Sequence, residues 1–210
     1  MTTALVLCSG GIDSVTLAHK AASEGHLGAM LFLNWNQPAA AEEWAACRFA
    51  ADVLGARTVT VGAHMPGLHM MASGVGTSGA RVVPGRNLIF ASIAVGVALS
   101  CDCSSVWLGC IRDDHDAYPD CRPAFIRAIN ATSMETYGVQ VAAPFVGTLK
   151  REIIAEANRL HVDIARTWSC YQGHAGAPCG SCDACVCRSR ALIAAHAPAC
   201  PPTPAPGSAP

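Results

Sequence analysis

No apolar run in this chain is long enough to cross a bilayer. The longest, Leu88 to Leu99, falls well short of the ~20 residues a spanning helix needs, and alanine supplies much of the mean hydropathy of +0.32. Basic charge is not in excess either: 14 Lys and Arg face 15 Asp and Glu, for a net charge of −1. Neither a membrane nor direct nucleic acid contact is therefore expected among the partners. The first residues read as a strand and not as a basic-then-apolar leader, so a cytoplasmic location is expected. No internal repeat is visible. The 210 residues suit one domain with a full core and a small appendage.

What is present begins with Ser9-Gly10-Gly11-Ile12-Asp13-Ser14, between the apolar run Ala4 to Cys8 and a helical pattern from Val15 to Ala22. In a strand, glycine turn, helix arrangement, backbone N–H groups and a helix N-terminus converge on one anion. The glycines let the backbone approach without a Cβ in the way. Ser9 and Ser14 add hydroxyl donors, and Asp13 can cap the helix or hold a metal ion. An ordinary tight turn with an N-cap is the plainer alternative. The Walker pattern is missing, because no Gly-Lys-Ser/Thr follows the glycines.

Further along, Leu27 to Trp35 is a continuous apolar run, as expected of a strand buried on both faces. Helical spacing over Ala39 to Leu54 stops at Gly55, and Thr58 to Val61 reads as a short third strand. A glycine-rich connection from Gly62 to Val83 reads as a substrate-covering loop, with a disordered insertion as its alternative. Then come an apolar helix over Leu88 to Leu99, a strand over Ser105 to Cys110 and a polar loop over Ile111 to Asp120. A helix over Arg122 to Tyr137, a strand over Val139 to Ala142 and an amphipathic helix over Leu149 to Leu160 complete the pattern. Alternating strands and helices predict an α/β fold with a parallel sheet, its ligands at the carboxyl ends of the strands. The opening loop sits at one such end.

Twelve cysteines would suggest disulfides in a short secreted chain. Here Cys170, Cys179, Cys182 and Cys185 cluster with two-residue gaps between the last three, and Gly180 relieves the bend. Four thiolates form a closed tetrahedral shell, which suits one structural zinc ion per chain. Reduced thiols and an iron–sulfur cluster are the alternatives, and Cys187 is a substitute ligand. The Pro201 to Pro206 stretch reads as a disordered tail.

With these pieces placed, the chain resembles the 7-cyano-7-deazaguanine synthase family (QueC), PP-loop enzymes of the N-type ATP pyrophosphatase class. Four motifs carry the resemblance: Ser9 to Ser14; Val83-Pro84-Gly85-Arg86-Asn87; Asp114 with Tyr118-Pro119-Asp120-Cys121-Arg122-Pro123; and Thr167 with Ser169-Cys170-Tyr171 leading into the cysteines. Lys150-Arg151-Glu152 fits the family's Lys-x-Glu segment. The resemblance implies a Rossmann-like (adenine nucleotide alpha hydrolase-like) parallel sheet with helices on both faces, followed by a four-cysteine zinc knuckle. It divides the chain into a PP-loop ATP-binding domain over 1–165, a zinc segment packed on it over 166–197 and the tail over 198–210. It also implies a homodimer.

The activity implied is ATP-dependent conversion of 7-carboxy-7-deazaguanine and ammonia to the nitrile, through an activated carboxylate and an amide, with Mg²⁺. On this reading Cys8, Ser9, Gly10, Gly11, Ile12, Asp13, Ser14, Val15, Thr16, Leu17 and Ala18 form the ATP segment. Arg86 and Lys150 neutralise phosphate charge, and Asp114 or Asp120 pairs with the guanine-like base. Asn87, Tyr118 and Arg122 complete the substrate set, Arg122 meeting the substrate carboxylate or pairing with Asp120. His64, His69 and His115 are read as solvated, and Cys121 as a packed thiol, with a nucleophile as its alternative. One departure stands out. Where the family reads Asp-Tyr-Gly-Gln followed by basic residues, this chain has Asn34-Trp35-Asn36-Gln37-Pro38-Ala39-Ala40, with Glu42 retained. The change raises a second possibility, a QueC-like ligase that joins the carboxylate to a different amine or stops at the amide. Transfer of sulfur to tRNA through Cys121 or Cys110 is a third, which the near-neutral charge does not support.

Overall fold

The computed structural model describes residues 3–63, 83–172 and 176–196. The expected covering loop falls largely within 64–82, outside the described residues, as do His64, His69 and the tail from 197 onward. Five strands form one parallel sheet: β1 (Ala4–Leu7), β2 (Leu27–Asn34), β3 (Thr58–Gly62), β4 (Ser105–Trp107) and β5 (Gln140–Ala142). Their spatial order is β3-β2-β1-β4-β5. Val6 sits opposite Met30 on one side and Trp107 on the other. The chain order reverses at β1, so a crevice opens beyond the carboxyl ends of β1 and β4. The Ser9–Ser14 turn leaves β1 at that point.

Side-chain alternation explains why β2 reads as unbroken apolar sequence. Met30 and Phe32 join one core, with helices α1 (Ile12–Ser23), α2 (Ala40–Leu54) and α5 (Lys150–Arg159). Ala29, Leu31 and Leu33 join the other, with α3 (Arg86–Ser100) and α4 (Pro123–Tyr137). Both faces are apolar because both are covered. Gly55 and Gly138 end α2 and α4 in the left-handed conformation.

Three differences from the sequence reading are local. The fourth strand stops at Trp107 and not at Cys110, because the chain turns away to form the cleft wall. The loop after it is not structureless: Arg112–Asp114 and Pro119–Cys121 each form a 3-10 turn. A further helix, α6 (Asp183–His196), begins just after Cys182 and contains Cys185, the last clustered cysteine, where the sequence reading expected only a knuckle. Its Ala191 is buried in the first core, with Leu192 and Ala195 packed alongside. Two cysteines and two arginines within the helix hide that apolar period in the sequence.

Candidate active site and metal centre

Between the ends of β1 and β4 lies a cleft of about 770 Å³, within the range of small-molecule sites. Its floor is the Ser9–Ser14 turn. Gly10 has φ +74°, and a Cβ there would collide with the Glu43 carbonyl oxygen, so the turn requires glycine. The Ser14 hydroxyl accepts from the Ser9 N–H at 3.1 Å and lies 3.3 Å from the Ser9 hydroxyl. Cys8, Ser9, Gly11, Ile12, Asp13 and Ser14 line the cleft. Val15, Leu17 and Ala18 do not: they are core residues of α1, and the buried Thr16 hydroxyl donates to the Ile12 carbonyl.

Charge gathers on one wall. Lys150 Nζ donates to both Asp13 carboxylate oxygens, at 2.7 and 2.6 Å. The Lys150 backbone N–H donates to Asp113, and Glu152 accepts the Leu149 N–H at 2.8 Å. The Lys-x-Glu segment is thus a helix start: its glutamate satisfies an otherwise unpaired N–H, and its lysine reaches into the cleft. Asp13 makes this ion pair and does not cap α1. Asp114 lies nearby, and burial, aided by the Asp13 charge, pushes its carboxyl up to about 6.

The opposite wall carries Arg86, Asn87 and Phe90 of α3, with the Arg86 guanidinium 5.9 Å from the Phe90 ring. Tyr118 and Tyr171, far apart in sequence, bring their hydroxyls within 3.4 Å of each other across the cleft. Burial, aided by the neighbouring Tyr118, pushes the Tyr171 phenol upward. Asp120 is placed differently from Asp114. Its carboxylate accepts the Asn87 backbone N–H at 2.9 Å and lies outside the cleft lining. Arg122 is also outside, exposed, with its Nε donating to the His115 carbonyl at 2.7 Å, and it makes no ion pair with Asp120. His115 is not solvated as expected: its Nε2 is buried without a hydrogen-bond partner among the described residues. Cys110 and Cys121 line the cleft, and their mutual hydrogen bond, with burial, pushes the Cys110 thiol upward.

The altered stretch after β2 also reaches the cleft. Gln37 accepts the Trp35 N–H at 2.9 Å and donates to the Leu33 carbonyl and to Glu43, at 3.2 and 2.7 Å. Asn36, where the family pattern has glycine, holds φ +68°, a conformation asparagine tolerates. It is Glu43, not Glu42, that faces the cleft, and burial pushes its carboxyl up to about 7. Neighbouring positions on a helix point ~100° apart, so the sequence alone does not separate two adjacent glutamates.

Beyond the cleft, the sulfurs of Cys170, Cys179, Cys182 and Cys185 all lie within 4.8 Å of one another. A tetrahedral ion with ~2.3 Å bonds to sulfur sets its ligands about 3.8 Å apart, and Cys179 and Cys185 stand at 4.0 Å. Backbone N–H groups support the thiolates: Gln172 and Cys179 donate to Cys170, and Cys182 donates to Cys179. The N–H groups of Ser181 and Cys182 pull Cys179 down to about 6, whereas burial pushes Cys185 up to about 12. The donor set fits a thiophilic metal ion. Cys187 is not part of this group; it faces the cleft instead.

Among the described residues no helix is long and apolar enough to cross a membrane. Residues 3–196 match the family model described as queuosine biosynthesis protein QueC. Curated relatives named 7-cyano-7-deazaguanine synthase include one from Rhizobium meliloti (strain 1021), 38% identical, with 92% of this chain and 89% of the relative covered. Another, from Synechococcus elongatus, is 35% identical, with 94% of each chain covered. Among solved structures, the U34-tRNA thiolase NcsA from Methanococcus maripaludis with its [4Fe-4S] cluster aligns with a TM-score of 0.57 at 14% identity. That alignment covers 92% of this chain and 64% of the thiolase. A predicted subunit of tRNA methyltransferase from Methanocaldococcus jannaschii aligns with a TM-score of 0.53 at 15% identity, covering 75% of each chain. At these identities the structural likenesses speak to the fold alone.

Proposed function

The chain belongs to the QueC family of queuosine biosynthesis proteins, and from that premise we propose that it is an ATP-dependent 7-cyano-7-deazaguanine synthase. The observation that carries the reading is the Ser9–Ser14 turn at the sheet's switch point, facing Lys150 and Arg86 across one cleft. ATP phosphates would lie on the Gly10 and Gly11 backbone and the Ser9 and Ser14 hydroxyls. Lys150 and Arg86 would offset the negative charge that grows as pyrophosphate or phosphate departs.

A carboxylate is inert to ammonia until one oxygen becomes a leaving group. The substrate carboxylate oxygen attacks a phosphorus of ATP, giving a mixed anhydride and releasing the remainder of the nucleotide. Ammonia then adds at carbon, loses a proton and expels the phosphoryl oxygen, leaving the amide. A second ATP activates the amide oxygen, and its departure with the loss of two N–H protons leaves the nitrile. No side-chain nucleophile is required; the chain positions reactants and stabilises charge. Asp114 is the carboxylate better placed to meet the guanine-like edge, because Asp120 is committed to Asn87. Asp13 would hold Mg²⁺, which would supply positive charge against the phosphates, and the four cysteines would hold zinc as a structural ion that anchors the C-terminal segment. The exposed Leu88 and Leu99 of α3 support a homodimer that covers this face.

The product name shared by relatives at 34–38% identity favours the nitrile over an amide or a conjugate with another amine. The test is direct: purified protein with 7-carboxy-7-deazaguanine, ATP, Mg²⁺ and ammonium, with products weighed by mass spectrometry. The nitrile mass is expected. Accumulation of amide alone, or of an adduct with an added amine, would overturn the assignment.

A further inference from the structure

Arg188, on α6 three residues past Cys185, belongs to no motif singled out above. Its side chain is half-buried and spans three acceptors. One terminal nitrogen donates to the Thr167 hydroxyl at 2.8 Å and the Ser169 hydroxyl at 3.1 Å; the other donates to the Ile164 carbonyl at 2.6 Å. Between the two hydroxyls lies Trp168, whose backbone N–H donates to the Gly10 carbonyl at 2.8 Å. The Trp168 ring nitrogen donates to the carbonyl of Cys170, one of the four clustered cysteines. A trans peptide points its C=O and N–H in opposite directions. Holding the Gly10 carbonyl against Trp168 therefore aims the Gly11 N–H away from it, and the direction of that N–H is set from the C-terminal segment. The two segments are in contact here, since a Cβ on Gly11 would lie at an ordinary van der Waals distance, 3.6 Å, from the Trp168 carbonyl oxygen.

We propose that Arg188 is a positioning residue that couples the four-cysteine metal site to the nucleotide loop, so that metal binding and ATP binding strengthen each other. The proposal rests on the reading of Ser9–Ser14 as the ATP site. The cysteines fix the start of α6, α6 presents Arg188, and Arg188 holds Thr167 and Ser169 in the extended form that delivers the Trp168 N–H to Gly10. Linkage then requires reciprocity: what the metal does for ATP, ATP does for the metal to the same extent.

The full zinc-loaded chain tests this through two equilibrium measurements: ATP affinity by calorimetry, and zinc affinity by competition with a chelator, with and without saturating ATP. Arg188→Ala removes three charge-assisted bonds and is expected to weaken ATP about tenfold while keeping its zinc. Ser169→Ala, which removes one acceptor and keeps the guanidinium, is expected to weaken ATP by only ~2- to 3-fold. In the unaltered chain ATP raises zinc affinity; in Arg188→Ala that dependence is lost. A residue that merely supported the fold would lower thermal stability and leave the dependence in place. ATP affinity in Arg188→Ala within twofold of the unaltered chain, or zinc affinity indifferent to ATP in the unaltered chain, overturns the coupling alone. An unaltered chain that binds no ATP overturns the nucleotide reading, and the coupling with it.

Discussion

Lys150 and Asp13, 137 positions apart in sequence, meet as an ion pair with both carboxylate oxygens within 2.7 Å of Nζ. Each side chain is only about one-fifth exposed (20% and 22%). The pair joins the start of α5 to the first turn of α1 and sets the one lysine of the cleft lining beside the Ser9–Ser14 turn. Replacing Lys150 with Met leaves Asp13 facing the Asp114 carboxyl with no cation between them. Turnover of the carboxylate substrate is expected to fall by about 10²-fold, the scale of losing one preorganised charge in a transition state. Steady-state assay of Lys150→Met checks this, and Lys150→Arg is expected to recover part of the loss.

Two glycines with the same backbone sign are expected to behave differently. Gly10 (φ +74°) would drive a Cβ into the Glu43 backbone, whereas Gly85 (φ +71°) has open space around it. Gly85→Ala is expected to cost only the left-handed backbone term of ~1–2 kcal/mol. Gly10→Ala adds a steric conflict that neither α2 nor the turn can relieve, and ATP binding is expected to be lost. Denaturant unfolding and calorimetry on both variants distinguish the two cases.

The stability of the fold should carry a signature of Glu43. Its folded carboxyl lies at about 7 against an ordinary value of 4.5, so between these values the folded chain holds more proton than the unfolded one. Stability contributed by this group therefore falls as pH rises from about 4.5 to about 7 and is flat above that. Glu43→Gln removes the titration. The variant is expected to unfold at a higher temperature than the unaltered chain at pH 8, with the difference closing below pH 5. Thermal melts across that range read it out.

Loss of one cysteine ligand should loosen the C-terminal segment first. Cys179→Ser is expected to release the metal and lower the melting temperature by roughly 6–12 °C, taking ~3 kcal/mol, the stabilisation lost with a ligand present at about 100 times its Kd, at ~2–4 °C per kcal/mol. Hydrogen exchange should rise earliest in α6 and around Trp168, because both are held through that site.

Much of the architecture is legible in the sequence. Continuous apolar strands alternating with amphipathic helices specify a parallel sheet, since only a strand covered on both faces can be apolar at every position, as Met30 to Leu33 are. The Ser9–Ser14 turn and the cysteine cluster are legible because both are local: backbone geometry and ligand reach act over a few residues. Helix α6 is not legible, because its core-facing stripe of Ala191, Leu192 and Ala195 is short and flanked by cysteines and charges.

The division between Asp114 and Asp120, between Glu42 and Glu43, and the place of Arg188 were open for a different reason. Each depends on which way a side chain points once distant segments have packed. By itself the sequence determined the sheet, the glycine turn after β1 and the thiolate cluster, all properties of short stretches and their periodicity. Only the tertiary structure decided that Lys150 answers Asp13, that Asp120 serves Asn87, and that Trp168 holds Gly10. Those pairings join residues far apart along the chain, and no local pattern records a contact that exists only after the chain has folded.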